Sequence, residues 1–122
     1  MNNNLKQLVD EFGIVLGEAL LSCDLWEKKS LLSIAGINHN AEFSSRIGKV
    51  MLNLEENIEI LGLPPVGKYH FVDLEMNALL LMVNLGDVHV LGCLIDKSKV
   101  VYGTLLHMII PNIIATYNEI EL

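Results

Sequence analysis

The chain has 122 residues, 52% of them hydrophobic, and a mean hydropathy of +0.43, which predicts one domain, residues 1–122, with a substantial core. Its net charge of −7, from 8 basic and 15 acidic residues, argues against a nucleic-acid partner, because phosphate-binding surfaces need clustered Lys and Arg. Its longest uninterrupted apolar run, Ala78–Val83, has six residues, whereas a spanning helix needs about 20, so no membrane insertion is expected.

The N-terminal region predicts a helix followed by a hairpin. The opening sequence MNNNLKQLVDEF lacks the basic-then-apolar pattern of a secretion signal, so a cytoplasmic protein is expected. Its apolar residues recur at helical spacing and predict a short helix that ends near Gly13. Next, the apolar segments IVLGEALLSCDL and SLLSIAG flank the polar sequence WEKK at 26–29, which predicts two strands joined by a loop.

A second helix is the clearest element of the sequence. Its apolar residues follow the i, i+3, i+4, i+7 spacing of a core-facing stripe and are Phe43, Ile47, Val50, Met51, Leu54, Ile58 and Leu61. Asn40 is the expected N-cap, and Gly62, just before two prolines, is the expected end of the helix.

The remaining residues predict three strands and a closing helix. The segments KYHFVDLE, LLLMVNL and VHVLGCLID are joined by expected turns at Met76-Asn77 and Gly86-Asp87. Residues 100–120 have helical spacing, with a kink or restart at Pro111. The inner strands are almost continuously apolar, which indicates a sheet covered on both faces. The fold class is therefore a three-layer α/β/α sandwich, of order α-β-β-α-β-β-β-α, with a five-stranded, mainly antiparallel sheet.

No catalytic group of residues is evident. The four histidines lack metal-ligand spacing such as HxxxH, so structural roles are expected for His39, His70, His89 and His107. With a two-residue turn at Gly86-Asp87, His89 pairs with Asn84 and His70 with Val83, so these two histidines point to opposite faces. Cys23 and Cys93 lie in apolar strands and are expected to be reduced core thiols, which leaves a thiol enzyme as a minor alternative. No phosphate-binding loop is present, and neither a cofactor nor a metal is expected.

Leu52 is the exception to the pattern of the second helix. At about 100° per residue it lies almost opposite the apolar stripe. Its neighbours on that outer face are Ser45, Gly48, Glu55, Glu56 and Glu59. Two interpretations stay open: an ordinary exposed leucine, or the centre of a helix–helix contact, since Gly48 permits close backbone approach. The high mean hydropathy favours the contact.

The element order and the residues at its joints resemble the roadblock/dynein light chain family. FGIVLGEALLSCD is similar to that family's helix end, glycine-containing bend and first strand, which ends here in Asp24, and SLLSIAG is similar to its second strand. The segment AEFSSRIGKVMLNLEENIEILGL is similar to the family's long second helix. HFVDLEMNALLLMVNLGDVHVLGCLID is similar to its three-strand meander, and KVVYGTLLHMII is similar to the start of its closing helix. The sequence departs from the family at WEKK, where a glycine is common, and at Pro111. The match covers nearly the whole chain, and its specificity lies in order and spacing.

The resemblance implies a profilin-like roadblock fold and a homodimer, in which the second helices pack side by side and the third strands join the two sheets. It places Tyr69 and Phe71 on the joining strand, whose free edge such pairing would satisfy. It also implies a surface for a Ras-like small GTPase or a signalling partner, with no cofactor and no catalytic residue supplied. Bacterial members include regulators of a polarity GTPase. A heterodimer with a sister chain stays open.

The alternative function is that of a profilin- or PAS-like sensor of a small ligand. It predicts a cavity between sheet and helix, lined by His70, His89, Tyr102 or Trp26. The primary prediction is a non-enzymatic, homodimeric regulator or scaffold of a small GTPase.

Overall fold

The computed structural model describes residues 3–40 and 42–120. Its elements follow the predicted order and are α1 (Asn3–Leu16), β1 (Leu20–Glu27), β2 (Ser33–Ile37), α2 (Phe43–Ile60), β3 (Tyr69–Asp73), β4 (Ala78–Leu85), β5 (His89–Asp96) and α3 (102–118). Short 3₁₀ turns follow α1 at Gly17–Ala19 and β5 at Lys97–Lys99. Within the described ranges, no helix is both long enough and apolar enough to cross a membrane.

The five strands form one sheet in the order β2-β1-β5-β4-β3, and each neighbouring pair is antiparallel. The predicted fold class is confirmed. β5 and β4 lie at the centre, and β2 and β3 form the two edges. The outer edge of β3 has no strand beside it among the residues described.

The sheet is covered on both faces. On one face, α1 and α3 pack on the main core, where β4 contributes Leu79, Leu81, Val83 and Leu85. On the other face, α2 covers a smaller cluster that contains Trp26, Met51, Met82 and Val90. Successive residues of β4 therefore enter opposite layers, which is why the strand is a continuous apolar run instead of an alternation.

The predicted first helix and first hairpin need correction. α1 does not end near Gly13 but continues to Leu16, so residues 14–16 are helical, and Gly17 at φ +55° follows the last helical residue. Trp26 and Glu27 belong to β1, and the turn to β2 begins at Lys28. The reason is that Trp26 is fully buried under α2, which extends β1 through the polar-looking segment.

The predicted register of the meander is wrong by one residue. Leu85 pairs with His89, so the β4–β5 turn has three residues, 86–88, and Asn84 faces Val90. His70 faces Met82 instead of Val83. The predicted opposite orientation of the two histidines is nevertheless confirmed, because His89 contacts Tyr117 of α3 whereas His70 pairs with Met82, which packs beneath α2.

Pro111 neither breaks nor sharply ends the last helix. α3 begins as Tyr102–Thr104, widens to a π-helical turn at Leu105–Ile109 and continues as an α-helix at Ile110–Asn118. Proline has no N–H and its ring clashes with the carbonyl four residues earlier. The wider turn just before Pro111 accommodates it in the first turn of the final segment, so the helix changes type at the proline and continues without a break.

Candidate interaction surface

α2 presents a different face to the sheet from the one that its apolar spacing predicts. Its fully buried residues are Ser44, Gly48 and Met51. By contrast, Val50 is 61% exposed and Leu54 45% exposed. Leu61, at the end of the predicted stripe, is 71% exposed, so the predicted core stripe is wrong at these three positions.

Trp26 is the physical cause of this rotation. A Cβ built on Gly48 would lie 2.9 Å from the indole nitrogen of Trp26 and 2.6 Å from a methyl carbon of Leu31. The large indole, which also packs edge-on against Phe43 at 6.0 Å, needs a narrow side of the helix above it. Gly48 thus serves packing inside this chain and is not on the outer face, which corrects its predicted placement.

Ser44 is buried beside a carboxylate. Ser33 of β2 donates a hydrogen bond of 2.5 Å to one carboxylate oxygen of Asp24, and the other oxygen is buried without a hydrogen-bond partner among the residues described. Burial raises the pKa of Asp24, while the nearby hydroxyls of Ser33 and Ser44 oppose the rise. Ser44 thus packs at the start of α2 beside a buried carboxylate of β1.

The rotation leaves an apolar stripe of α2 without a partner in the described part of the chain. Val50, Leu54 and Leu61 are exposed at helical spacing, and Ile60 and Leu63 add exposed apolar surface at the helix end. Gly48 touches Leu31 of the β1–β2 turn, so the stripe lies on the flank of α2 that faces away from this turn. The sequence predicted these residues as core, and only the small pair Ser44 and Gly48, one turn apart, signals the true buried side.

The predicted interface residues of α2 do not share one exposed surface. Ser45, Glu56 and Glu59 are exposed, and Leu52 is half-buried. Glu55 is also half-buried and forms an ion pair of 2.9 Å with Lys28 at the end of β1. Gly48 is buried beneath Trp26, whereas Glu55 and Glu59 line a cavity together with segment 63–68 and Asn84 of β4.

The predicted residues of β3 lie on the opposite face of the sheet from α2. The rings of Tyr69 and Phe71 are 5.2 Å apart, and Phe71 packs edge-on against Tyr102 of α3 at 6.0 Å. On the α2 face, β3 instead presents His70 and exposed Val72. The two predicted groups therefore lie on opposite faces of the sheet. We call the exposed stripe Val50, Leu54 and Leu61, together with Val72 and the open backbone edge of β3, the α2–β3 surface.

The sensor interpretation loses its predicted cavity. Trp26 and His89 are buried, Tyr102 is exposed, and these side chains lie on both faces of the sheet. A cavity of about 780 Å³ does exist where α2, segment 63–68 and the β4–β5 turn meet, but none of the four predicted residues lines it. Its polar walls include Lys28, Glu55 and Asn84.

The titratable groups of the interior show no reactive arrangement among the residues described. Cys23 and Cys93 are directly paired on β1 and β5, and both are free and buried. Burial raises the pKa of the Cys23 thiol to about 11 and that of Cys93 well above its ordinary value. Among residues 3–40 and 42–120, no three His, Cys, Asp or Glu side chains are grouped so that they could hold a metal ion.

A five-stranded antiparallel sheet with α2 on one face and α1 and α3 on the other is the roadblock/LC7 fold. Myxococcus xanthus MglB has the same fold, with a TM-score of 0.76 and 13% identity over 94% of this chain and 92% of its own. The gliding protein MglB of Thermus thermophilus gives 0.71 and 11%, over 98% and 96%. A Roadblock/LC7 domain from Streptomyces avermitilis gives 0.67 and 12%, over 93% of each. No known family profile matches the chain, and no curated protein matches it significantly in sequence. The resemblance predicted from the sequence is confirmed as a likeness of fold.

Proposed function

We propose that this chain, as a single roadblock-type domain over residues 1–122, is a non-enzymatic, homodimeric regulator or scaffold of a Ras-like small GTPase. The observation that carries the proposal is the α2–β3 surface, which combines an exposed apolar stripe of α2 with a β3 edge that has no neighbouring strand among the residues described. A second copy related by two-fold symmetry satisfies both features at once. The stripes of the two α2 helices pack together, and the two β3 edges pair into a continuous sheet.

The centre of the proposed dimer interface is Val50, Leu54 and Leu61, and the joining strand contributes Val72 on the same face of the sheet and Tyr69 and Phe71 on the opposite face. Exposed Val50 and Leu54 have little reason to be apolar in an isolated chain, and burying a large aliphatic side chain contributes about 1.5–3 kcal/mol. Gly48 is left out of the interface because it is buried beneath Trp26.

The outward flank of α2 is proposed to contact the GTPase. This flank carries Ser45, Glu56 and Glu59 beside half-buried Leu52, and Glu55 is held at its margin by Lys28. Its acidic character suits basic side chains of a partner. The chain is proposed to act by ordering the catalytic groups of the GTPase itself, as the resemblance to the roadblock family implies.

Light scattering after size-exclusion chromatography tests the dimer. The wild type is expected at twice the 13.6 kDa mass of the chain, and Leu54→Glu at the monomer mass. Leu52→Glu is the matched control on the same helix, about 160° away from Leu54, and is expected to stay dimeric. Val101→Glu places the same charge on an exposed valine outside the α2–β3 surface. A monomeric wild type contradicts the homodimer, and dissociation by Leu52→Glu alone moves the contact to the other flank of α2.

Binding of Ras-like GTPases from the same genome tests the partner. Each GTPase, loaded with GDP or with a non-hydrolysable GTP analogue, is titrated against the chain by calorimetry. Binding is expected in one nucleotide state, with loss of affinity in Glu56→Lys and retention in Val101→Glu. The absence of binding by every such GTPase overturns this part of the proposal while leaving the dimer intact.

A further inference from the structure

A second apolar surface lies on the face of the sheet opposite α2. Between α1 and α3 runs a groove of about 270 Å³ whose walls include Phe12, Ile14 and Val15 of α1 and Ile109 and Ile113 of α3. Ile14 is 81% exposed and Val15 57% exposed, although both are large and aliphatic. We call this the α1–α3 groove. It lies in a different layer from the α2–β3 surface, so dimerisation through α2 leaves it free.

The rim of the α1–α3 groove is acidic. Glu11 lies within it, and a second depression, which shares Leu8, Glu11 and Thr116, continues it to Glu119. No Lys or Arg is among the described residues that line either depression. The nearby Lys6 is paired with Asp10 at 3.2 Å, whereas Glu11 only accepts a hydrogen bond of 3.3 Å from Gln7. Glu11 and Glu119 are therefore carboxylates without a basic partner in the described part of the chain.

The groove between α1 and α3 can accommodate a third helix. Two adjacent helices leave a furrow into which apolar residues at i, i+3, i+4 and i+7 of another helix can pack. Ile109, which lines the groove, is the last residue of the π-helical turn Leu105–Ile109, and such turns often occur at functional sites.

We propose that the α1–α3 groove binds an amphipathic helix of a partner protein, with Lys or Arg flanking its apolar face. Charge complementarity selects this occupant: basic side chains beside the apolar face would meet Glu11 and Glu119. A second copy of this chain fits poorly, because its net charge is −7 and the same groove would bring acid against acid.

Fluorescence anisotropy with a designed peptide tests the proposal. The probe is a labelled helix of about 18 residues, with Leu at i, i+3, i+4 and i+7 and Lys elsewhere. A peptide of the same composition, scrambled so that no apolar face forms, is the matched control. Saturable binding is expected for the amphipathic peptide only.

Charge-reversed variants locate the binding. Glu11→Lys is expected to weaken binding about fivefold or more, whereas Glu56→Lys, an equal charge change on exposed α2, changes it less than about twofold. Glu119→Lys repeats the test from the end of α3, and thermal unfolding shows which variants are folded. Leu54→Glu is expected to bind the peptide unchanged, so a failure of the proposed dimer is separable from a failure here.

Three results overturn the proposal. The first is the absence of saturable binding to the folded wild type. The second is equal weakening by Glu11→Lys and Glu56→Lys, which indicates only general attraction to an acidic protein. The third is a change of oligomeric mass in Ile14→Arg but not in Val101→Arg, which assigns the groove to a second copy of the chain.

Discussion

Gly48 of α2 lies against the indole of Trp26, so close that a Cβ at position 48 would stand 2.9 Å from the indole nitrogen. This contact determines which side of α2 is buried. It therefore also determines that Val50 and Leu54 are exposed. Gly48, which the sequence places on the predicted outer face, therefore serves packing inside this chain.

Gly48→Val is expected to lower the free energy of unfolding by about 2 kcal/mol, because overpacking of a filled interior costs roughly 1–3 kcal/mol. The indole is rigid and enclosed, so it cannot move aside as a flexible side chain could. Ser45→Val, an exposed site on the same helix, is the control and is expected to change stability by less than about 0.5 kcal/mol. Urea denaturation followed by Trp26 fluorescence measures both. Equal midpoints for the two variants would mean that the Gly48–Trp26 contact is not tight.

The buried pair His89 and Tyr117 is expected to make stability depend on pH. The Nδ1 of His89 and the hydroxyl of Tyr117 are 2.6 Å apart, and this hydrogen bond joins β5 to α3. Burial lowers the pKa of His89 below its ordinary value of 6.5. The His89 side chain therefore binds a proton at higher pH in the unfolded chain than in the folded chain. As a result, the free energy of unfolding is highest above the pKa of His89 in the unfolded chain and decreases as the pH falls through that value.

Urea midpoints at about pH 7.5 and about pH 5.5 measure this effect, which is expected to be smaller in His89→Gln. His107→Gln, at an exposed position of α3, is the matched control and should retain the full difference. Tyr117→Phe removes the hydrogen-bonding partner and is expected to cost about 1–3 kcal/mol at the higher pH. If His89→Gln keeps the wild-type pH dependence, the effect belongs to another group, and half-buried His70, whose pKa burial also lowers, is the next to substitute.

The two thiols are expected to be unreactive in the folded chain. Burial raises the pKa of Cys23 to about 11, and both thiols lack exposure. Reaction with a thiol reagent at about pH 8 should be slow for both cysteines in the folded chain. It should become fast in urea, because unfolding restores a thiol pKa of about 8.5. Mass spectrometry of the native protein counts the modified sites. Rapid native modification of either cysteine would revive the thiol-enzyme interpretation.

The order of helices and strands was predictable because the spacing of apolar residues within each element depends only on residues close together in the sequence. Residues 79–85 alternate between two covered faces, and their unbroken hydrophobicity correctly indicated a sheet between two helical layers. The length of a turn is less well encoded: Gly86-Asp87 matched a two-residue hairpin, yet Val88 is part of the turn and the register shifts by one. One residue in a turn changes every pairing beyond it.

The candidate site was less predictable, because it depends on a contact between residues distant in sequence. Trp26 was assigned to a loop by its neighbours Glu27, Lys28 and Lys29, and only its burial reveals that it sits beneath α2. Without it, the apolar stripe of α2 is naturally taken as core. Cores consist of hydrophobic residues, but not every hydrophobic residue is buried. Val50 and Leu54 of α2 are hydrophobic and exposed.

The thermal stability of the wild type is expected to rise with protein concentration, since a partner that binds only the folded chain stabilises it by mass action. If the α2–β3 surface joins two copies, a hundredfold increase in concentration should raise the unfolding temperature by several degrees, which corresponds to about 2–3 kcal/mol of added stabilisation. Leu54→Glu should abolish this concentration dependence, because it places a charge in the centre of the stripe that dimerisation would bury. Val101→Glu should keep the concentration dependence. Calorimetric scans over that concentration range provide the measurement. A concentration-independent wild type with the same unfolding temperature as Leu54→Glu would show that the exposed stripe does not join two copies of this chain.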